Sequence, residues 1–192
     1  MWEKYEWTNK PKQVVIEKNQ LYFKTERDTD FWRNTHYHFN RMNGHAFLRE
    51  VEAQAFTCRL KIRMEPKHKY DQAGIYLCRD DDHWLKTSVE FIPDGPSHLG
   101  AVVTSYGYSD WSTRDFSNQD VRDILEFEIE YDQGDVQVFF LHRDGTKEQL
   151  RIAHLHRNTA TETVKIGPYA CSPNLDQSGC PVEVLEFEVS IR

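Results

Sequence analysis

The sequence lacks the segments that would tie it to a membrane or a secretory route. No stretch approaches the roughly 18 consecutive apolar residues of a membrane span, and mean hydropathy is −0.75. The opening MWEKYEWTNKPKQ has no apolar core of the signal-peptide kind, so the expected location is cytoplasmic. Positive charge is also scarce: 24 Lys and Arg stand against 31 Asp and Glu, a formal charge of −7. Binding to a nucleic-acid backbone relies on clustered cations, and no such partner is expected. Neither C-x-x-C nor H-E-x-x-H occurs, which removes the common zinc signatures. No G-x-S-x-G marks a nucleophile elbow. Neither a metal nor a cofactor is expected. Cysteines number four. Cys58 and Cys78 fall in predicted strands, where a small buried thiol is the ordinary reading. Cys171 and Cys180 bracket the loop SPNLDQSG and could close a short disulfide, but cytosolic thiols stay reduced, which is the expectation.

Helical periodicity is scarce too, and aromatic content is not. Aromatic residues make up 13% of the chain and sit among charges, a pattern of half-exposed sheet. A length of 192 residues fits one domain spanning 1–192 with a substantial core. The first dozen residues read as an arm lying over that domain. Strands are expected at Val14 to Ile16, Leu21 to Thr25 and Asp30 to Asn40, the last with Phe31, Tyr37 and Phe39 on one face and Trp32, His36 and His38 on the other. His36 and His38 could share a metal, but a third donor cannot be placed. Phe56 to Met64 alternates apolar residues with Thr57, Arg59, Lys61, Arg63 and Glu65, giving one solvated face. Further strands are expected at Leu125 to Tyr131, Val136 to Leu141 and Gln149 to His156. After Arg157 and a Thr-rich connection come Val164 to Tyr169 and Val182 to Ile191, the last with Leu185, Phe187, Val189 and Ile191 toward the core. About a dozen strands separated by turns imply two packed antiparallel sheets.

The central stretch Asp71 to Ser112 carries the functional signal. Side chains alternate across a strand, so Leu85, Thr87, Val89 and Phe91 define a core face opposite Trp84, Lys86, Ser88 and Glu90. The preceding strand sets Ala73, Ile75 and Leu77 against Gln72, Gly74 and Tyr76. In the following one, Leu99, Ala101 and Val103 oppose His98, Thr104 and Tyr106, and a turn at Tyr106 to Ser109 then presents Asp110 and Trp111. Hairpin pairing places Gln72, Tyr76, Trp84, Lys86, Glu90 and Thr104 on one surface, with Asp110 and Trp111 at its rim. Such a surface suits a sugar ring, which lays C–H groups on an aromatic face and bonds its hydroxyls to polar neighbours. The alternative is that Trp84 and Trp111 pack under the loop around Pro93 to Pro96.

DQAGIYLCRDDDHWLKTSVEF and VVTSYGYSDWS, with DFWRNTHYHFN before them and IGPYACSP after, resemble the DUF1349 family of domains of unknown function. That family is a group within the concanavalin A-like lectin and glucanase superfamily. The resemblance implies an all-β jelly-roll sandwich of two curved antiparallel sheets, with a concave face that holds glycans in sugar-acting relatives. It transfers no activity, because a fold of this kind hosts many functions.

Three function classes follow. The favoured one is a non-catalytic binder of a carbohydrate or other small polyhydroxylated ligand. The second is a glycoside hydrolase, which needs two carboxyl groups at a set separation. Glu126, Glu128 and Glu130 are better read as a solvated face opposite Leu125, Phe127, Ile129 and Tyr131, and the glucanase relatives carry an aspartate that this string lacks. Glu90 and Asp110 are the better catalytic candidates, though Lys86 beside Glu90 would favour its ionised form and hence binding. The third class, implied by the resemblance, is a cytosolic regulatory domain that acts in sugar metabolism through a protein partner.

Overall fold

The computed structural model describes residues 2–156, 163–175 and 179–192. Sixteen strands follow a short 3₁₀ turn at Trp2–Lys4: β1 Glu6–Trp7, β2 Gln13–Glu17, β3 Gln20–Lys24, β4 Phe31–Trp32, β5 Arg41–Met42, β6 His45–Val51, β7 Ala55–Met64, β8 Gln72–Asp80, β9 His83–Glu90, β10 Ser97–Ser105, β11 Tyr108–Phe116, β12 Leu125–Asp132, β13 Asp135–Leu141, β14 Lys147–His154, β15 Val164–Cys171 and β16 Pro181–Ile191. Two seven-stranded sheets result. The first runs β1-β6-β15-β8-β9-β10-β11, the second β14-β13-β12-β7-β16-β3-β2, and every recorded strand pairing within them is antiparallel. This is the expected jelly-roll sandwich.

The alternation read from sequence builds the layer between the sheets. Phe56, Cys58, Leu60, Ile62 and Met64 of β7 are fully buried, as are Phe127 and Ile129 of β12, and they meet Ala73, Ile75, Leu77, Leu85 and Val89 of the first sheet. The amino-terminal arm joins the layer: Trp7 pairs with Phe47 in the β1–β6 ladder, and Trp2 packs 6.4 Å from Phe187. The turn joining β12 and β13 is tight, with Gln133 and Gly134 both at positive φ, as a two-residue hairpin with a right-handed twist requires.

Several expectations are corrected. Asp30 to Asn40 is not a strand: only Phe31 and Trp32 pair, with Met42 and Arg41. Asn34, His36 and His38 then take left-handed backbone, so the two histidines do not share a strand face. Strand β6 was not expected. It pairs on both sides and buries residues of both faces, Ala46 and Leu48 outward and Phe47 and Val51 inward, so the alternation that betrays a strand is absent. Asp110 and Trp111 belong to β11 rather than to a turn. In β16 a register shift between Val184 and Glu186 resets the parity. Val182, Val184 and Phe187 are buried, Leu185 is half-buried and Ile191 is 59% exposed. Glu128 is not on a solvated face; it is 2% exposed, covered by Arg59 and Lys147, both of which bond to its carboxylate. The connection that begins at Arg157 lies outside the described residues.

The position of the candidate site follows from one strand. All eight residues of β9 are buried; Leu85 and Val89 face the layer between the sheets, and Trp84 and Lys86 are covered on the opposite side. That cover is the excursion between β3 and β6, which carries the small β4–β5 hairpin over the outer face of the first sheet.

Candidate functional site

The excursion is anchored by Asp30. Its backbone carbonyl accepts from the N–H groups of Asn43 and Gly44 at 3.2 and 3.0 Å, and its own N–H donates to Asn43 Oδ1. Its carboxylate accepts from Phe31 N at 2.8 Å and from Lys86 Nζ at 2.8 Å. Phe31 stacks on Tyr76 with ring centroids 4.4 Å apart, and Trp84 lies 6.2 Å from Phe31. Past Trp32 the chain turns back through left-handed residues, held by Trp32 Nε1 donating to Thr35 O. Trp32, Tyr37 and Phe39 then follow one another in a run of ring contacts, 5.2 and then 6.0 Å between centroids.

This excursion and the sheet enclose a cleft of about 300 Å³. Gln72, Lys86, Glu90 and Trp111, all expected at the site, line it together with Val102. Asp30, Trp32, Tyr37, Phe39 and Arg41 enter from the excursion, and Tyr70, Pro173 and Leu175 from neighbouring loops. Those loops are tied down by Asp71, whose carboxylate accepts from Lys67 N and His68 N at 2.9 Å each and from Ser172 Oγ at 2.6 Å.

The remaining expected residues do not reach the cleft. Tyr76 and Trp84 share the outer face, as parity requires, but are 2% and 0% exposed beneath Phe31; neither offers a ring to a ligand. The cover over Trp84 is the excursion, not the loop around Pro93 to Pro96. Thr104 is fully buried and bonds to Ser109 Oγ at 2.7 Å. Asp110 pairs with Val103, a core-side position, and reaches Arg151 on the other sheet at 2.7 Å. Glu90 instead aligns with His98, and through it with Asp115. Asp110 is five residues along β11 from that rung, about 17 Å at the usual strand rise, and on the opposite face. Glu90 and Asp110 therefore do not converge.

Polar groups meet on the floor. Lys86 Nζ donates to Asp30 Oδ1 and, at 2.9 Å, to Gln72 Oε1, which also accepts from the Tyr169 hydroxyl at 3.1 Å. Burial pulls the Lys86 ammonium down, but the carboxylates of Asp30 and Glu90 outweigh it and hold the group above its ordinary range. For Glu90 burial wins. It pushes the carboxyl up to about 7 against the pull of Lys86, with Asp30 adding to the rise. Lys86 favours the ionised form of Glu90, as expected, but burial outweighs that pull. Among the described residues no group of three or more His, Cys, Asp or Glu side chains could hold a metal ion, and no helix is long and apolar enough to cross a membrane.

The sequence pattern did not point to Asp30, Tyr70 or the excursion's rings Trp32, Tyr37 and Phe39 as parts of the site. The signal was present in DFWRNTHYHFN, whose density of rings is high for a stretch broken by turn-forming asparagines.

The geometry can be set beside known proteins. The family described as "Protein of unknown function (DUF1349)" matches residues 7–191. Over 185 residues the chain is 35% identical to a Saccharomyces cerevisiae protein named Regulation of enolase protein 1, a match covering 96% of this chain and 88% of that one. A crystal structure of a functionally unknown protein from Saccharomyces cerevisiae superposes with a TM-score of 0.88 at 32% identity, over 100% of this chain and 98% of that chain. The metal-free lectin I-B4 of Griffonia simplicifolia shares the fold at a TM-score of 0.61 and 14% identity, over 98% of this chain and 93% of that chain.

Proposed function

Because the chain belongs to the DUF1349 family, whose description assigns no activity, we propose from the cleft itself that the protein binds a carbohydrate or another small polyhydroxylated ligand without turning it over. The observation that carries this reading is the pairing of aromatic walls with a polar floor: Trp32, Tyr37, Phe39, Tyr70 and Trp111 surround Asp30, Gln72, Lys86 and Glu90. A ring edge-on to the floor would bury its C–H faces against the walls and direct hydroxyls to carboxyl and amide groups. A volume of about 300 Å³ is at the small end of ligand clefts, which suits one ring. Strain supports the assignment. Asp28, Asn34, His36 and His38 all hold positive φ within the excursion, and such backbone persists where the surrounding structure imposes it, often around ligand clamps.

Turnover is disfavoured by the carboxyl groups available. Glycoside hydrolysis needs one as acid and another as base or nucleophile, but Asp110 lies on the far side of the sheet and the Asp30 carboxylate is bonded to Lys86. Open aromatic sites of this kind bind with Kd on the order of 1 mM to 1 μM, roughly −4 to −8 kcal/mol. We place the function in one domain, residues 1–192, and in the cytoplasm; four free cysteines fit a reducing compartment.

The test is calorimetric titration of neutral mono- and oligosaccharides into the wild type and Trp111→Ala. Saturable heat in the first and its loss in the second support the reading, and no heat from any member of the panel overturns it. A second reading takes its support from the relative's name: a regulatory domain acting in sugar metabolism through a protein partner such as enolase. Tyr37, Phe39 and Leu175, exposed at the mouth of the cleft, would be its contacts. Complex formation with purified enolase that Phe39→Ala abolishes would favour it.

A further inference from the structure

Among the described residues, every cation that lines the cleft already has a carboxylate. Lys86 is bonded to Asp30 and to Gln72, and Arg41 is paired with Asp28 while its guanidinium lies 5.8 Å from the Phe39 ring centroid. Gln72 Oε1 is occupied twice, by Lys86 and Tyr169. What remains is the Glu90 carboxyl, 8% exposed, which lines the cleft. With Glu90 ionised, Arg41 and Lys86 stand against Asp28, Asp30 and Glu90, an excess of one negative charge. The rings of Trp32, Tyr37 and Trp111 line the same space, and aromatic ring faces attract cations. A phosphorylated or carboxylated sugar would find no free cation here, and Glu90 would have to stay protonated beside it. A protonated amine would find both the carboxylate and the rings.

We propose that the ligand of this cleft carries a basic nitrogen, that is, an amino sugar or a similar amine-bearing polyol whose ammonium group sits against Glu90 between the aromatic walls. The inference rests on the reading that the cleft holds a polyhydroxylated ligand, and it names the charge that ligand carries. It also gives Glu90 a role consistent with its surroundings. In the empty cleft burial keeps the carboxyl protonated up to about pH 7, and an ammonium group would draw the proton off, so that binding releases it. The ionisable groups around Glu90 include Lys86 on its own strand, Asp30 on the excursion, His98 beside it on β10, and Cys171 and Tyr169 on β15, the tyrosine held neutral by burial. The thiol is held neutral by burial.

Titrating glucose, glucosamine, glucose 6-phosphate and choline into the wild type separates the possibilities. The expected order is glucosamine about tenfold tighter than glucose, with glucose 6-phosphate the weakest. In Glu90→Gln the ratio of glucosamine to glucose affinity should fall to about one. Trimethylated glucosamine, whose charge is fixed, should bind more tightly as pH rises from about 6 to about 8, releasing close to one proton at the low end and almost none at the high end, a measurement that needs no variant. Equal affinity for glucose and glucosamine overturns the amine and leaves the carbohydrate reading in place, as does preference for the phosphate. Choline binding without any sugar binding overturns the carbohydrate reading and supports the cationic site. Silence from all four ligands overturns both.

Discussion

At the scale of single residues, the site and its foundation divide between two tryptophans. Trp84 has no exposed surface and packs among Phe31 and Tyr76, whereas Trp111 is half-buried at the wall of the cleft. Trp84→Ala should therefore cost about 3 to 5 kcal/mol of stability, as aromatic truncations in a core do, and Trp111→Ala should cost far less while losing ligand. Urea unfolding of the two variants beside a ligand titration checks both. Glu90 supplies a second prediction, and its sign can be worked out. Its carboxyl titrates near 7 when folded instead of the ordinary 4.5. Between those values the folded chain holds a proton that the unfolded chain has lost, so stability falls as pH rises through this window and levels off above it. Glu90→Gln should remove that decline, flattening the melting temperature from about pH 5 to about pH 7, and at about pH 8 should gain on the order of 3 kcal/mol relative to the wild type. A wild-type profile that rises over the same window would contradict the buried, protonated carboxyl.

At the scale of elements, the excursion between β3 and β6 is the piece the site depends on, and one ion pair pins it to the sheet. Lys86 and Asp30 have side chains only 3% and 15% exposed. Removing one member of such a pair leaves a buried charge without its partner and costs about 3 to 5 kcal/mol. Asp30→Ala should cost on the order of 3 kcal/mol, and adding Lys86→Met should recover most of it, because the stranded ammonium is then gone. Chemical denaturation of both singles and the double gives the coupling directly; additive losses would mean the pin does not exist. The same element marks the limit of what the sequence disclosed. Strand parity was legible wherever one face is core and the other wet, as in β7, and it set Gln72, Tyr76, Trp84, Lys86 and Glu90 on one surface, as the strand register does. Parity states which face a side chain takes, and not whether another segment covers that face. The roof is built from Asp30, Trp32, Tyr37 and Phe39, whose conformation depends on left-handed residues and on a contact 56 positions away in the chain. Neither leaves a periodic trace.

At the scale of the whole molecule, the outer face of the first sheet and the seam between the sheets are separate structures, and the second should be dispensable to the first. Along one side of the sandwich β11 is tied to β14: Arg151 reaches Asp110 at 2.7 Å, Arg114 bonds to Glu148, and Arg114 Nη2 donates to Gln149 O at 3.3 Å. The Asp110 side chain is 65% exposed, and solvent-exposed pairs contribute about 0 to 1 kcal/mol and are screened by salt. The apolar layer between the sheets, which no salt screens, holds them together with or without this seam. Asp110→Asn should accordingly move the melting temperature little, and less still at about 1 M salt, while leaving ligand affinity at the wild-type value. The outcome also decides between readings of the sandwich. If Asp110 worked with Glu90 on a glycan, its amide variant would lose binding or turnover while keeping its stability. Because strand pairing puts the two carboxyl groups on opposite faces of one sheet, the expected loss is in neither, and a single titration of the variant beside a melting curve reads both.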